Sequence, residues 1–227
     1  MTEIVPGIHQ VDGVNGNSYI IPGDFLTIVD TGRPGDGAKI LAYIEKTLGR
    51  RTEEIGTIIL THYHHDHTGG VAEIRKAAPR AKIAAHAAEA PYLAGRTPIP
   101  PSQARQGIVK RIRKLFEKRE FFEPDLLLAN GDPVAGLTSV HIPGHTPGSI
   151  GLYDEKTRAF FAGDVFRYYG ETLVEGPEEH TQDRMLEQRS IRKVASLDID
   201  VLLVGHGIPL KPGAQEKIQA FASTLPA

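Results

Sequence analysis

Ile55-Gly56-Thr57-Ile58-Ile59-Leu60-Thr61-His62-Tyr63-His64-His65-Asp66-His67-Thr68-Gly69-Gly70 is the stretch on which the reading of this chain turns. The β-branched apolar run Ile55 to Leu60 reads as a buried strand. Its end carries four of the chain's ten histidines and an aspartate within six residues, a density that fold stability does not require. Side chains two apart on extended backbone point the same way, so His62 and His64 can reach one metal ion while Tyr63 and His65 point elsewhere. Asp66 and His67 are adjacent, and if they open the following turn and helix they diverge by about 100°. That pair suits a second ion, and two ions about 3.5–4 Å apart accommodate both pairs. Thr68-Gly69-Gly70 is small enough for the backbone to turn tightly beneath.

Outward from this cluster, Val71 to Ala78 reads as a helix stopped by Pro79. Upstream, Asn17 to Ile21 and Phe25 to Val29 flank the turn signal Pro22-Gly23-Asp24, which predicts a hairpin. Gly37 to Leu48 places Ile40, Leu41, Ile44 and Leu48 on one helical face, with Gly49 as a stop. Downstream come strand and helix signals at Lys82 to Ala85 and Ala87 to Leu93. The Pro98 to Pro101 loop precedes a helix from about Gln103 to Lys118 with Ile108, Ile112, Leu115 and Phe116 on one face. Strands follow at Leu126 to Leu128, Leu137 to Ile142, Ser149 to Tyr153 and Ala159 to Ala162. A helix near Gln182 to Ser196, a strand Asp200 to Val204 and a helix Ala214 to Thr224 complete the pattern. Two halves of similar order, each with a strand ending in histidine, predict a mixed α/β chain of two sheets with helices outside, since sheets packed together must have their outer faces covered. One domain is expected over 1–227, with a helical insertion at about 95–122.

Composition sets bounds on function. The chain has 227 residues, 40% hydrophobic and 24% charged, with a formal net charge of −2 and no cysteine. Disulfides and thiolate ligands are excluded, so nitrogen and oxygen must hold any metal. The charge balance offers no global field for nucleic acid, and no apolar run nears the roughly 20 residues that cross a bilayer. The start, Met1 to Gly7, has neither the basic nor the apolar region of a signal peptide. We therefore expect a soluble, cytoplasmic protein acting on a small molecule, with no nucleic-acid or membrane partner.

Three further islands supply ligand-type residues, each after an apolar strand and beside glycine: Pro143-Gly144-His145-Thr146-Pro147-Gly148, Ala162-Gly163-Asp164 and Val204-Gly205-His206-Gly207. Loops at strand ends commonly carry function on a rigid scaffold.

Together the H-x-H-x-D-H pattern, Gly-His-Thr-Pro-Gly, Gly-Asp and the final Gly-His resemble the metallo-β-lactamase fold hydrolases, in that family's order, from about Asn17 to Gly207. The resemblance implies a four-layer αββα sandwich of two mixed sheets with the site at one edge. It implies one metal on His62, His64 and His145, a second on Asp66, His67 and His206, and Asp164 bridging them. Val29-Asp30-Thr31-Gly32 also fits the family, where this aspartate stands behind the ligands; a carboxylate accepting a ligand histidine's second N–H would fix its orientation. Two divalent ions are expected, zinc foremost, with iron or manganese as alternatives.

The chemistry implied is hydrolysis of an ester-like acyl bond, such as a thioester, lactone or carboxylic ester, by a metal-bridging hydroxide, with Asp66 orienting it or handling a proton. Arg167, Tyr168, Tyr169 and His180 follow Asp164 and are candidates for substrate contact. Glyoxalase II type thioesterases and lactonases share these motifs. About 20 residues follow His206, so the glyoxalase II C-terminal helical domain is not expected, and the lactonase tyrosine three residues after the bridging aspartate is replaced by Arg167. Competing readings are a persulfide dioxygenase holding one iron on His62, His145 and Asp164, a phosphodiesterase, and a non-catalytic metal-binding module.

Overall fold

The computed structural model describes residues 2–100 and 120–226. The expected helix from Gln103 to Lys118, and with it most of the insertion at 95–122, lies outside the described residues.

The first sheet runs in chain order: β1 (Thr2–Val5), β2 (Ile8–Gln10), β3 (Tyr19–Ile21), β4 (Leu26–Val29), β5 (Ile55–Ile59), β6 (Lys82–His86) and β7 (Leu126–Leu128). Pairing is antiparallel from β1 to β4 and parallel from β4 to β7. The change follows from the connections. Short turns join the antiparallel strands, whereas parallel neighbours need a crossover long enough to hold a helix. Here α1 (Asp36–Lys46) separates β4 from β5, and α2 (His65–Thr68) and α3 (Val71–Ala77) separate β5 from β6.

The second sheet has the order β12-β11-β10-β9-β8, with β13 beside β11. Its strands are β8 (Pro133–Val134), β9 (Leu137–His141), β10 (Ile150–Asp154), β11 (Ala159–Tyr169), β12 (Thr172–Glu175) and β13 (Val201–Gly207). All pairs are antiparallel except β11 with β13, which is reached through α5 (Arg184–Ala195). The α4 turn (Ala90–Leu93) is shorter than the predicted Ala87 to Leu93, and α6 (Ala214–Thr224) closes the chain as predicted. β1, β2, β8 and β12 were not anticipated, being short and without a long apolar run.

Among the described residues, three apolar clusters fill the spaces between four layers. Along buried strands, neighbours alternate between them: Ile28 and Ile58 face α1 and α3 with Ile40, Ile44, Val71 and Ile74, while Val29 and Ile59 face the other sheet. In the second sheet Phe160 and Leu202 face α5 and α6 with Ile191, Val194 and Ile218, while Phe161 and Leu203 turn inward to meet Val29 and Ile59. Burial on both faces explains why these strands read as continuous apolar runs rather than alternating ones. The architecture is the expected αββα sandwich.

Two strands depart from the sequence reading, and one of them, expected to end at Val204, runs on to Gly207 with His206 inside it. The strand expected to end at Ala162 continues to Tyr169, so Asp164 lies inside β11 and not in a loop after it. β13 runs beside β11 from Ala159 to Tyr168, while β10 covers 159–161 and β12 covers 166–169 of its other edge. The register slips on both sides of Gly163, whose φ is 52°. Such an irregularity re-aims the side chains that follow it. Among the described residues no helix is long and apolar enough to cross a membrane.

Candidate metal centre

The cluster hangs from two parallel neighbours. Asp30 follows β4, and its N–H bonds the carbonyl of Ile59 at 2.9 Å, next to the point where β5 gives way to Thr61 and His62. Its φ of 58° is a left-handed conformation that aspartate tolerates better than most residues. The bend aims the carboxylate inward. Oδ1 accepts from Thr61 N–H at 2.8 Å, and Oδ2 accepts from the Thr61 hydroxyl at 2.7 Å and from His67 Nδ1 at 2.8 Å. Because the Thr61 hydroxyl gives its proton to Asp30, its oxygen accepts from His62 Nδ1, 3.0 Å away. One carboxylate thereby turns Nε2 of both His62 and His67 toward the site, the role that a ligand's outer partner commonly plays.

His145 is set by a second relay. Its Nδ1 lies 3.3 Å from the Thr181 hydroxyl, which bonds the Glu187 carboxylate at 3.2 Å. Glu187 is fully buried on α5 and paired with Arg184 at 2.5 Å. His145 Nε2 then points at His64 Nδ1, 3.0 Å away. On the other side, Asp164 Oδ1 lies 3.2 Å from His67 Nε2, and Oδ2 lies 3.4 Å from His206 Nε2 and 3.8 Å from His145 Nε2. Asp66 Oδ2 approaches His206 Nε2 at 3.4 Å. Gly205, just before His206, is glycine for space: a Cβ there would stand 2.3 Å from Asp164 Oδ1.

These seven side chains form three overlapping groups, His62/His64/His145, His62/His67/Asp164 and Asp66/His67/His206, each with ligand atoms within 4.8 Å of one another. Among the described residues, His62 Nε2, His67 Nε2, His206 Nε2 and Asp164 Oδ1 are buried without a hydrogen-bond partner. Orphaned buried polar atoms are costly, and a cluster of them facing one point has the chemistry of a cation site. Nitrogen and carboxylate oxygen suit a divalent metal.

The electrostatics agree with the geometry. Burial, then the neighbouring imidazoles, push His62 and His64 well below the usual histidine range, which keeps both neutral with lone pairs available. Burial opposes charge on Asp164 and Asp66, yet His67 and His206 hold both carboxyls well below the ordinary aspartate range. Burial likewise opposes a proton on His67, but Asp164 and Asp30 hold its value well above the usual one. The carboxylates thus demand positive charge at this point.

A cavity of about 690 Å³ opens over the cluster, lined among others by Arg33, Tyr63, Asp66, Ile99, Arg167 and His180. Of the four candidate substrate contacts, Arg167 and His180 reach it. Arg167 Nη2 also bonds Asp164 Oδ2 at 3.0 Å. The other two require correction. Strand alternation turns Tyr168 to the outer core, where its hydroxyl meets Lys217 Nζ at 2.9 Å, and Tyr169 is half exposed at the strand end; neither lines the cavity. Glu89, Glu187, Thr61 and Thr181 were missed, because a lone acid or threonine carries no local signal of burial, and Arg33 because an exposed arginine in a loop carries no local signal of a site.

The Metallo-beta-lactamase superfamily model matches residues 11–206. A relative in Bacillus subtilis, "Probable metallo-hydrolase YflN", is 29% identical over 92% of this chain and 86% of its own length. The human "Acyl-coenzyme A thioesterase MBLAC2" is 33% identical over 65% of this chain and 54% of its own. Among solved structures, a metallo-beta-lactamase family protein from Thermus thermophilus, TTHA1429, superposes with a TM-score of 0.71 at 22% identity, covering 97% of this chain and 79% of that one. TTHA1623 in a di-iron-bound form matches with a TM-score of 0.71 at 23% identity over 94% and 98%. With a family model spanning most of its length and both sheets in place, the chain belongs to the metallo-beta-lactamase superfamily.

Proposed function

We propose that this chain is a dinuclear metal-dependent hydrolase of an ester-like acyl bond, with a thioester as the foremost substrate and lactones and carboxylic esters next. The observation that carries this reading is the convergence of seven ligand-type side chains on one point beneath an open cavity, with four of their buried ligand atoms lacking hydrogen bonds. His62, His64 and His145 would hold one ion, Asp66, His67 and His206 the other, and Asp164 would lie between them. When bound, two divalent ions supply a nucleophile from water at neutral pH and polarise the carbonyl oxygen. Zinc is the ion we favour on the nitrogen and oxygen donors, with iron and manganese also compatible; the relative solved with two irons supports a two-ion centre. Thioesters come first because MBLAC2 and several fungal relatives are named thioesterases.

The chain's own groups divide the remaining work. Asp66 is held ionised and is partly open to the cavity, so its carboxylate can accept a hydrogen bond from the attacking water and take up its proton. Arg167 is anchored on Asp164 and lines the cavity, where its remaining donors could meet a carbonyl or carboxylate oxygen. His180, held below the usual histidine range by burial, is a neutral polar group on the same wall. A cavity of this volume falls within the roughly 300–1,000 Å³ of small-molecule sites.

The test is metal analysis followed by a substrate screen of the metal-loaded protein against thioesters, lactones, carboxylic esters and phosphodiesters. About two metal ions per chain with acyl-bond turnover supports the proposal. One iron per chain with oxygen consumed in the presence of a persulfide would overturn it in favour of a dioxygenase. Turnover of phosphodiesters alone would overturn the acyl assignment.

A further inference from the structure

We infer that Glu89 is a positioning residue that sets His62 and His64 at their distance from His145. It lies immediately before α4 and is completely buried. Oε2 accepts from Tyr63 N–H at 2.6 Å, and Oε1 accepts from the Thr146 hydroxyl at 2.9 Å and Gly148 N–H at 2.7 Å. Tyr63 stands between His62 and His64, while Thr146 and Gly148 follow His145. Each oxygen therefore serves one ligand-bearing segment. The segments belong to different sheets: the first leaves β5, the second joins β9 to β10. The single carboxylate ties the two sheets together at the edge where the cluster sits.

Charge and size both fit this role. A carboxylate is acceptor-only on both oxygens, which matches donors on both sides; a glutamine would turn an N–H group toward one of them. Burying the charge is costly unless such bonds compensate it. The neighbouring backbone makes room for it: a Cβ on Gly148 would approach Glu89 Cγ and Oε1 to 2.8 Å. The last glycine of the Gly-His-Thr-Pro-Gly motif thus has a partner far away in sequence. The other ligands depend on different supports, His67 on Asp30 and His206 on β13. Loss of Glu89 should therefore act selectively on the group His62/His64/His145.

This inference rests on the reading that the cluster binds metal, and the experiment separates the two. Metal-stripped protein would be titrated with cobalt(II), following visible absorption and competing with a chelator, in two backgrounds. His206→Ala retains His62/His64/His145, and His145→Ala retains Asp66/His67/His206. Glu89→Gln should weaken cobalt binding roughly 10–100-fold in the first background, as loss of a ligand's support does, with altered absorption bands. In the second background it should leave binding unchanged. Thermal unfolding of the metal-free variants checks folding. Should Glu89→Gln fail to fold, Thr146→Val, which removes one donor to Oε1, should show the same selectivity with a smaller loss. Equal loss in both backgrounds, or none in the first, would overturn the role of Glu89 alone. An unsubstituted chain that binds no cobalt would overturn the metal reading as well.

Discussion

Asp30 illustrates how much a single residue can decide. Its carboxylate reaches His67 directly and His62 through Thr61, so two imidazoles present Nε2 to the site because of one acid. Asp30→Asn would keep the acceptor for Thr61 N–H but turn an amide N–H toward His67 Nδ1. His67 would then move its proton to Nε2, the atom that faces Asp164. We expect a roughly 10–100-fold loss of metal affinity with little change in folding, measured by chelator competition and circular dichroism. Much at this scale was legible: the spacing of His62 and His64 on extended backbone needs no knowledge of the rest of the chain. Glu89 was not legible, because its partners lie 26 and 57 residues away, and Glu187 was not, because its nearby partner Thr181 matters only through His145 on a distant segment.

At the scale of the element, β11 and β13 form the floor of the site. Gly163-Asp164 reads as the end of a strand, yet the ladders with β13 and β12 carry the strand five residues past Asp164 to Tyr169. Which side chains then face the cavity depends on a register slip at Gly163, and this is why Arg167 arrives there and Tyr168 does not. β13 makes its own contribution through Gly205. Gly205→Ala would press a methyl group against Asp164 Oδ1, with the Gly163 carbonyl oxygen and His67 Cε1 each 2.9 Å from the added carbon to block its retreat. The expected outcome is a chain that folds but binds metal at least tenfold more weakly, comparable to losing an outer support; unchanged metal content on elemental analysis would count against it.

For the whole molecule, the cluster is a concentration of buried carboxylates and imidazoles that a cation would neutralise. Metal that binds the folded chain and not the unfolded one stabilises it by mass action, about 2.7 kcal/mol at a hundredfold excess over Kd. Chelation should lower the unfolding temperature and resupply of zinc restore it; an identical temperature with and without metal would refute the linkage. A second effect is independent of metal. His86 at the end of β6 stacks on His141 at the end of β9, with ring centroids 4.0 Å apart, joining the two sheets. Burial, then His141, lower its pKa from 6.5 to about 4, and its Nδ1 accepts from Ala88 N–H. The folded chain binds fewer protons at this site than the unfolded one, so this contribution is present above pH 6.5 and is lost as pH falls toward 4. His86→Phe, which keeps a stacking ring but cannot titrate, should flatten the acid side of a stability-versus-pH curve recorded by denaturant unfolding.

The order of strands and helices, the need for two covered sheets and the local pairing of His62 with His64 are determined by the sequence, since each depends on side-chain periods of two or 3.6 residues that short segments already contain. The convergence of His145, Asp164 and His206 on those histidines was visible there only through resemblance, because no local period relates residues tens of positions apart. Tertiary structure alone decided that Asp164 sits within a strand, that Arg167 rather than Tyr168 faces the cavity, and that Glu89 spans the two sheets. Register and packing between sheets are set by the burial of all three apolar layers at once, a condition that no single segment encodes.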